Sequence, residues 1–139
     1  MRRWLMKSEP DVFSWDDLVA VGAKGEEWHG VRNYLARNNM RAMELGDPVF
    51  YYHSNIGLEI VGIAEVCALS HPDSTAGADL RWDCVDIRAV RPLPRPVSLK
   101  QVKATPELAQ MALVTSMRLS VQPVTDGEWD IICRMGGLE

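Results

Sequence analysis

The sequence predicts a mixed α+β fold in which a sheet of about five strands curls into a small barrel and carries several short helices. Short runs rich in β-branched and aromatic residues are separated by turn signals, which is typical of strands. Residues that cap helices precede several short amphipathic segments. The regular strand–helix alternation of parallel α/β proteins is missing, and no repeat or linker divides the chain, so we expect one domain over residues 1–139.

The N-terminal segment predicts a strand and then a helix. Residues 2–7 form an apolar strand that ends before Pro10, because proline interrupts strand pairing. Ser14 then caps a helix with two acidic residues in its first turn, and this helix runs to Gly22. Residues 23–30 predict a loop.

A second helix is predicted to begin after Asn33, which caps it, and to extend to Met43 before Gly46 closes it. Its apolar positions are Tyr34, Leu35, Met40 and Met43.

Three strands follow and predict the centre of a sheet. They occupy residues 48–54, 60–69 and 81–90, where aromatic and β-branched residues are frequent. Residues 55–57 have the composition of a hairpin turn, and residues 70–79 predict a longer polar loop.

The proline-rich run PLPRP at residues 92–96 predicts a sharp exit from the sheet. Ser98 and Gln101 then have the spacing of a capping box and predict a short helix. A second short helix is expected after Thr105, with Pro106 at its first position.

The C-terminal segment predicts one more strand and one more helix. Residues 118–124 are the strand candidate. Thr125 and Glu128 form another capping box, and the helix that they begin is closed by Gly136.

Composition indicates a cytoplasmic globular protein. The chain is 47% apolar and 24% charged, and it contains no apolar run long enough to span a membrane. The N-terminus reaches acid and proline too early for a signal peptide. The three cysteines are widely spaced in apolar surroundings, which indicates buried thiols in a reducing compartment. With no CxxC pair and with scattered histidines, we expect no metal site and no cofactor.

Charge is unevenly distributed in this acidic protein, whose formal net charge is −4. Residues 30–43, the first basic zone, carry three arginines and no acid. Residues 87–106, the second basic zone, carry five basic residues and no acid. The net charge argues against coating a nucleic acid through bulk electrostatics, whereas the two zones can still guide a phosphate backbone locally or simply face solvent.

Six segments in a fixed order resemble the EVE domain family of the PUA-like superfamily. The similarity extends along the chain and is therefore more specific than a short motif. The segments are WLMKSEPDVFSWDDL (4–18), WHGVRNYLARNNMRAM (28–43), GDPVFYYHSN (46–55), IVGIAEV (60–66), RPLPRPVSL (91–99) and LSVQPVTDGEW (119–129).

The resemblance implies a PUA-like small mixed β-barrel of about five or six strands decorated by short helices, with a pocket on one side. That superfamily includes readers of modified RNA and DNA bases, and EVE domains are similar to YTH-type readers. The implied function is a non-catalytic module that recognises a modified nucleobase, in DNA or RNA, through an aromatic-lined pocket.

The run WHGVRNY at residues 28–34 combines aromatic faces with planar polar groups, as a site for a flat polar ligand requires. Trp28 is the stacking candidate, and Gly30 allows close approach of the backbone. If Trp28 forms a pocket wall, Trp28→Ala leaves the fold largely intact and weakens binding. The alternative is a tryptophan that anchors the loop in the core.

Asn33 can read a base edge with its amide, but it also stands where the second helix needs a cap, and capping is the favoured interpretation. In that case Val31 and Arg32 supply free N–H groups and charge to a phosphate or carbonyl oxygen at the helix start.

Lys7, Ser8 and Glu9 leave the first strand together and are candidates for the mouth of the barrel. Ser8 can bond a ring nitrogen. Glu9 can accept from an exocyclic amine, or it can form a salt bridge with Lys7 or Arg32.

Two further strand ends complete the predicted site. The resemblance favours Tyr52, His53 and Ser54 as one pocket wall. Ser120 and Gln122 lie at the last predicted strand, and Gln122 is either a second amide reader or a structural hydrogen-bonding group.

Two pairings of a nucleophile with a base were weighed against a binding role. Ser54 adjoins His53, with Glu9 as the third group, but neighbours in a strand point to opposite faces. Cys67 with His71 is the other pair, and an apolar strand disfavours the Cys67 thiolate. We therefore expect no catalytic residues.

The expected partner is a nucleic acid that carries a modified base. The alternative is a free nucleotide or another small metabolite, with solvated basic zones. A hydrolytic enzyme or a protein-interaction module is less favoured. Binding to a polymer weakens steeply as salt rises, whereas binding of a small neutral ligand does not.

Overall fold

The computed structural model describes residues 1–138. None of the helices in that part of the chain has both the length and the apolar character needed to cross a membrane. The strands are β1 (Arg3–Ser8), β2 (Glu26–Glu27), β3 (Pro48–His53), β4 (Glu59–Pro72), β5 (Asp83–Ser98) and β6 (Val121–Val124). The α-helices are α1 (Trp15–Val21), α2 (Tyr34–Ala42), α3 (Leu99–Lys103), α4 (Ala112–Thr115) and α5 (Asp126–Met135).

The six strands form one sheet in the order β2-β5-β4-β3-β1-β6, which confirms the α+β prediction. All neighbouring strands are antiparallel except β1 and β3, which run parallel. The sheet is open within residues 1–138, because β2 and β6 form its edges. The parallel pair matters for function, because the C-terminal ends of β1 and β3 emerge side by side.

Side chains alternate across the sheet and fill two hydrophobic cores. On β1, Trp4 and Met6 enter the first core, whereas Leu5 enters the second. On β3, Tyr51 enters the first core and Tyr52 the second. Both faces of the sheet are therefore covered.

Helices α1 and α2 cover the first core, and α3, α4 and α5 cover the second. The predicted caps are confirmed at Ser14, Asn33, Ser98 and Thr125, each of which accepts a hydrogen bond from a backbone N–H of the first turn. Thr105 makes no such bond, and the segment after it is a three-residue 3-10 turn rather than an α-helix.

The prediction for the apolar face of α2 is confirmed at Met40 and Met43, which are buried, and was wrong at Tyr34 and Leu35. Tyr34 and Leu35 are 51% and 56% exposed, and the residues that α2 buries are Ala36 and Met40. These two lie four residues apart and so share one face of the helix. The cap at Asn33 leaves Tyr34 and Leu35 on the outer side of the first turn.

The predicted exit at PLPRP was also wrong, because β5 continues through it to Ser98. Pro92 lies opposite Gly62 and Val97 opposite Ile60, so residues 93–96 form a wide bulge against a single residue of β4. Prolines are tolerated in a bulge because the ladder needs no N–H there.

Candidate ligand-binding cleft

A cleft of about 780 Å³ lies where the C-terminal ends of β1 and β3 meet. Its volume is within the range of about 300–1,000 Å³ that is usual for sites of small organic ligands. Residues after β1, residues around β2 and the segment before β6 supply its walls. The lining residues are Lys7, Ser8, Glu9, Val12, Phe13, Glu26, Glu27, Trp28, His29, Ser54, Asn55, Met117, Arg118 and Ser120.

Trp28 is both a wall of the cleft and a part of the first core. Its backbone N–H donates to the carbonyl of Val85 at 2.9 Å, which extends the pairing of β2 with β5. Its indole packs edge-to-face on Tyr51 with 5.6 Å between ring centroids, and the residue is 8% exposed. A ligand in the cleft therefore meets an indole that the core holds in place.

Lys7 brings a partly desolvated ammonium group to the cleft. Its Nζ donates to the carbonyl of Met117 at 2.6 Å and lies 5.9 Å from the centroid of the Tyr52 ring. Burial lowers the pKa of Lys7. Because an ammonium group has three donors, Lys7 keeps donors for a ligand while bonding to Met117.

The hydroxyl groups of the cleft supply both acceptors and donors. The Ser8 hydroxyl donates to the carbonyl of Phe13 at 2.8 Å, so its lone pairs are what it can offer to a ligand. Tyr51 donates to the same carbonyl at 2.6 Å, which fixes the segment that carries Phe13. The backbone carbonyl of Ser8 accepts from Ser54 N–H at 2.9 Å, and this bond joins the two strand ends.

The cleft is more acidic than basic. Its carboxylates belong to Glu9, Glu26 and Glu27, and its cations to Lys7 and Arg118. Oε1 of Glu27 accepts from both the N–H and the hydroxyl of Ser74. The bond from the Ser74 hydroxyl is the main reason that the pKa of Glu27 is lowered. An ionised carboxylate is a strong acceptor for an amine.

The loop after Trp28 is held by the buried carboxylate of Asp73. Asp73 accepts from Gly30 N–H at 2.7 Å, from Arg32 Nη1 at 3.0 Å, and from the N–H and hydroxyl of Thr75 at 2.7 and 2.6 Å. Burial alone would raise the pKa of Asp73, but these bonds keep it well below the usual range. The wall that contains Trp28 is thus tied to the loop after β4.

Six of the twelve predicted site residues line the cleft, and six lie elsewhere. Those in the cleft are Lys7, Ser8, Glu9, Trp28, Ser54 and Ser120. Val31 is buried in the first core, and Arg32 pairs with Asp73. The side chain of Asn33 accepts from Ala36 N–H at 2.9 Å, as a helix cap does.

The structure does not place Tyr52 or His53 in the cleft. Tyr52 is 3% exposed in the second core, on the face of the sheet opposite Trp28, and burial raises its pKa. Nε2 of His53 accepts from Trp15 N–H at 3.0 Å, and burial lowers the pKa of His53. Of the predicted corner, only Ser54 reaches the cleft.

The side chain of Gln122 makes the structural hydrogen bonds that were the alternative to an amide reader. It is fully buried, and its side-chain nitrogen donates to the carbonyls of Ala112, Ser116 and Leu119 at 3.3, 3.0 and 2.8 Å. Strand β6 is short, and this amide closes the loop that precedes it. Gln122 therefore shapes the segment that carries Ser120 without lining the cleft.

Sequence reasoning missed the residues that flank the predicted ones. The signal that could have found them is the parallel pairing of β1 with β3, which brings the residues after both strands to one place. Asn55, with φ of 68°, turns the chain directly after β3. The missed residues are Val12, Phe13, Glu26, Glu27, His29, Asn55, Met117 and Arg118.

Within residues 1–138, the groups that could hold a metal ion are Glu27, His71 and Cys84, whose ligand atoms lie within 4.8 Å of one another. They converge because His71 lies opposite Cys84 on adjacent strands. Nε2 of His71 is 2.8 Å from Asp86, and burial raises the pKa of Cys84 to about 12. To bind here, a metal ion would have to displace the thiol proton of Cys84 and the hydrogen bond between His71 and Asp86.

Comparison with known proteins identifies the family. The EVE domain model matches residues 2–135, so the chain belongs to the EVE domain family. Thymocyte nuclear protein 1 of Mus musculus is 38% identical over a gapped alignment of 160 positions, and this alignment covers 93% of this chain and 71% of that protein. The resemblance seen in the sequence is thus confirmed, and all six matching segments lie within residues 2–135.

Solved structures show the same fold. A protein of Agrobacterium tumefaciens has a TM-score of 0.98 and 68% identity, covering 99% of this chain and 94% of that chain. Human THYN1 in complex with DNA that contains 5-methylcytosine has a TM-score of 0.92 and 34% identity. The match covers 100% of this chain and 99% of the THYN1 chain. A YTH domain of Zygosaccharomyces rouxii shares the fold alone, with a TM-score of 0.56 and 16% identity. The match covers 99% of this chain and 88% of the YTH chain.

Proposed function

We propose that this protein is a non-catalytic module that binds a modified base of DNA in the cleft between β1, β3 and the Trp28 loop. The observation that carries the proposal is the cleft itself, in which a fixed indole stands among hydroxyl, ammonium and carboxylate groups. Support for DNA as the polymer comes from the relative THYN1, which was solved with DNA containing 5-methylcytosine.

The cleft offers what an unstacked base requires. A base that leaves the duplex loses stacking and pairing, at a cost of a few kcal/mol. Stacking on an aromatic side chain returns about 1–3 kcal/mol per base. Trp28 and Phe13 supply aromatic surface, and the hydroxyls of Ser8, Ser54 and Ser120 supply polar partners for a base edge.

The acidic balance of the cleft favours a base that carries an exocyclic amine. The carboxylates of Glu9, Glu26 and Glu27 can accept from the amine of cytosine or adenine. The same carboxylates repel phosphate, so the base enters the cleft while the sugar–phosphate backbone stays at its rim. A free nucleotide with several phosphates, the alternative ligand, fits this charge less well.

The groups considered for catalysis are poorly prepared for it. Nε2 of His53 is engaged by Trp15 N–H and cannot serve Ser54. Burial raises the pKa of the Cys67 thiol, which disfavours the thiolate that a nucleophile needs. Both features support a binding role, and the cytoplasmic location inferred from the composition stays a prediction.

The test is binding to a 12-base-pair DNA duplex with one central 5-methylcytosine, compared with the same duplex containing cytosine. We expect the wild-type protein to prefer the methylated duplex. Ser120→Phe should abolish this preference, because a phenyl ring there fills the cleft. Gln110→Phe, at an exposed position outside the cleft, should retain it.

Equal affinity of the wild-type protein for both duplexes, or an unchanged preference in Ser120→Phe, would overturn the proposed site. An N6-methyladenine duplex and a methylated RNA of the same length, measured in parallel, identify the modification and the polymer that are bound most tightly.

A further inference from the structure

A cluster of arginine and aromatic side chains lies beside the cleft, with Trp82 buried at its base and Tyr34 exposed above it. Tyr34, at the start of α2, stacks on Trp82 with 5.0 Å between ring centroids and 24° between ring planes. The Arg37 guanidinium lies 4.8 Å from the Tyr34 centroid, and those of Arg32 and Arg81 lie 5.5 and 5.9 Å from the Trp82 centroid. We call these five residues the arginine–aromatic cluster.

Arg37 differs from the other arginines of the cluster in its partners. Arg32 pairs with Asp73, and Arg81 pairs with Asp79. Arg37 donates to the backbone carbonyl of Arg81 at 2.9 Å and to the side-chain oxygen of Asn38. Both acceptors are neutral. Its positive charge therefore has no carboxylate partner within the described residues 1–138.

The cluster and the cleft share one short loop. Ser74 donates to Glu27, which lines the cleft, whereas Thr75 accepts from Arg32 Nη2 at 3.2 Å. Ser74 and Thr75 are consecutive residues, so this loop links the edge of the cleft at Glu27 to the cluster at Arg32.

We propose that the arginine–aromatic cluster binds the DNA strand next to the base held in the cleft, with Arg37 contacting a phosphate and Tyr34 contacting the adjoining sugar or base. This inference rests on the proposed function. A planar guanidinium matches phosphate oxygens in a bidentate way, and Tyr34 is 51% exposed, so its ring is accessible.

The cluster complements the cleft in charge. The cleft is acidic and accepts the base, whereas Arg37 provides unpaired positive charge for the backbone that the cleft repels. The first basic zone thus acts mainly through Arg37, because Arg32 and Arg41 are paired with Asp73 and Asp83.

The experiment measures two ligands: the 12-base-pair duplex with one 5-methylcytosine, and the free nucleoside 5-methyl-2′-deoxycytidine. In Arg37→Ala we expect an affinity for the duplex that is lower by about 3- to 10-fold and a salt-dependence slope that is smaller by about 0.9, as for one lost phosphate contact. Affinity for the nucleoside should not change, because the nucleoside occupies only the cleft.

Two further variants separate phosphate binding from structure. Arg37→Lys keeps the charge and should keep the salt slope, although its point charge cannot reproduce the planar contact. Arg134→Ala removes an exposed arginine from α5, on the opposite side of the sheet, and should leave both affinities unchanged.

If Arg37→Ala binds the duplex with the same affinity as Arg134→Ala, this inference is overturned and the proposed function stays intact. Equal losses for duplex and nucleoside also overturn it, because they show that Arg37 acts through the cleft. If the wild-type protein binds neither ligand, the proposed function fails and this inference fails with it.

Discussion

The carboxylate of Asp73 accepts a hydrogen bond of 2.7 Å from the backbone N–H of Gly30. A buried acid from the loop after β4 therefore fixes the loop that follows Trp28. Because the same carboxylate also pairs with Arg32, it joins the cleft wall to the arginine–aromatic cluster. The geometry of both candidate sites depends on this one side chain.

Asp73→Ala is expected to lower the free energy of unfolding by about 2–4 kcal/mol, because it leaves Gly30 N–H and the Arg32 guanidinium without their acceptor. Chemical denaturation measures the loss. Asp79→Ala is the matched control, since the carboxylate of Asp79 bonds to Arg81, two residues away at the surface, and little change is expected. Similar losses in the two variants would contradict a special role for Asp73.

Trp28→Ala is expected to destabilise the protein by about 3–5 kcal/mol, as truncation of a buried aromatic residue does. This corrects the sequence-based expectation of an almost intact fold, because Trp28 packs on Tyr51 within the first core. Trp28→Phe should cost less and keep an aromatic wall, so it is the better variant for binding measurements. Unchanged denaturation of Trp28→Ala would show that the indole contributes little to the core.

Gly62→Ala tests the packing between the sheet and α1. A Cβ atom at Gly62 would lie 2.6 Å from the ring of Trp15, so that ring must move, at a cost of about 1–3 kcal/mol. Gly127→Ala is the control, because nothing lies within 4 Å of its Cβ position in α5, and we expect a gain of about 0.5 kcal/mol. Loss of stability in both variants would contradict this account.

His53 should make the protein less stable in acid. Burial lowers its pKa, although Glu59 and Asp16 oppose the shift. Below the ordinary pKa of about 6.5, the unfolded chain takes up a proton that the folded protein takes up only at lower pH. The stabilisation from neutral His53 is therefore complete above about pH 6.5 and is lost as the pH falls through the folded-state pKa.

The measurement for His53 is the free energy of unfolding of wild type and His53→Gln between pH 5 and 8. The difference between the two proteins should shrink as the pH falls. His71 provides a control of opposite sign: burial opposes its protonation, but its bond to Asp86 raises its pKa overall. Its contribution should be complete at low pH and be lost as the pH rises, and a pH-independent difference for His53→Gln would contradict the assignment.

Local signals predicted much of the fold. The caps at Ser14, Asn33, Ser98 and Thr125 were read correctly, because a cap depends on residues only three positions apart. The proline-rich segment was misread because its place in β5 depends on a bulge against β4, which is a tertiary feature. Prolines are rare in strands with regular pairing, but a β-bulge accommodates them.

The cleft was harder to predict than the fold. Lys7 and Ser8 were predicted because they end a strand, and strand ends often line binding sites. Ser54 was predicted from the resemblance to the EVE domain family. Tyr52 and Gln122 lie outside the cleft, because alternation along a strand cannot say which face of the strand meets a cleft. Only the parallel pairing of β1 with β3, distant in sequence, defines where the cleft opens.

A crystal structure of the protein bound to the 12-base-pair duplex with one 5-methylcytosine is the most direct measurement. The account predicts that the methylated base has left the duplex and lies in the cleft, with its ring against Trp28 and its edge towards Ser8 and Ser120. A methylcytosine that remains stacked in the duplex, or that binds at any other surface while the cleft holds only water, would contradict it.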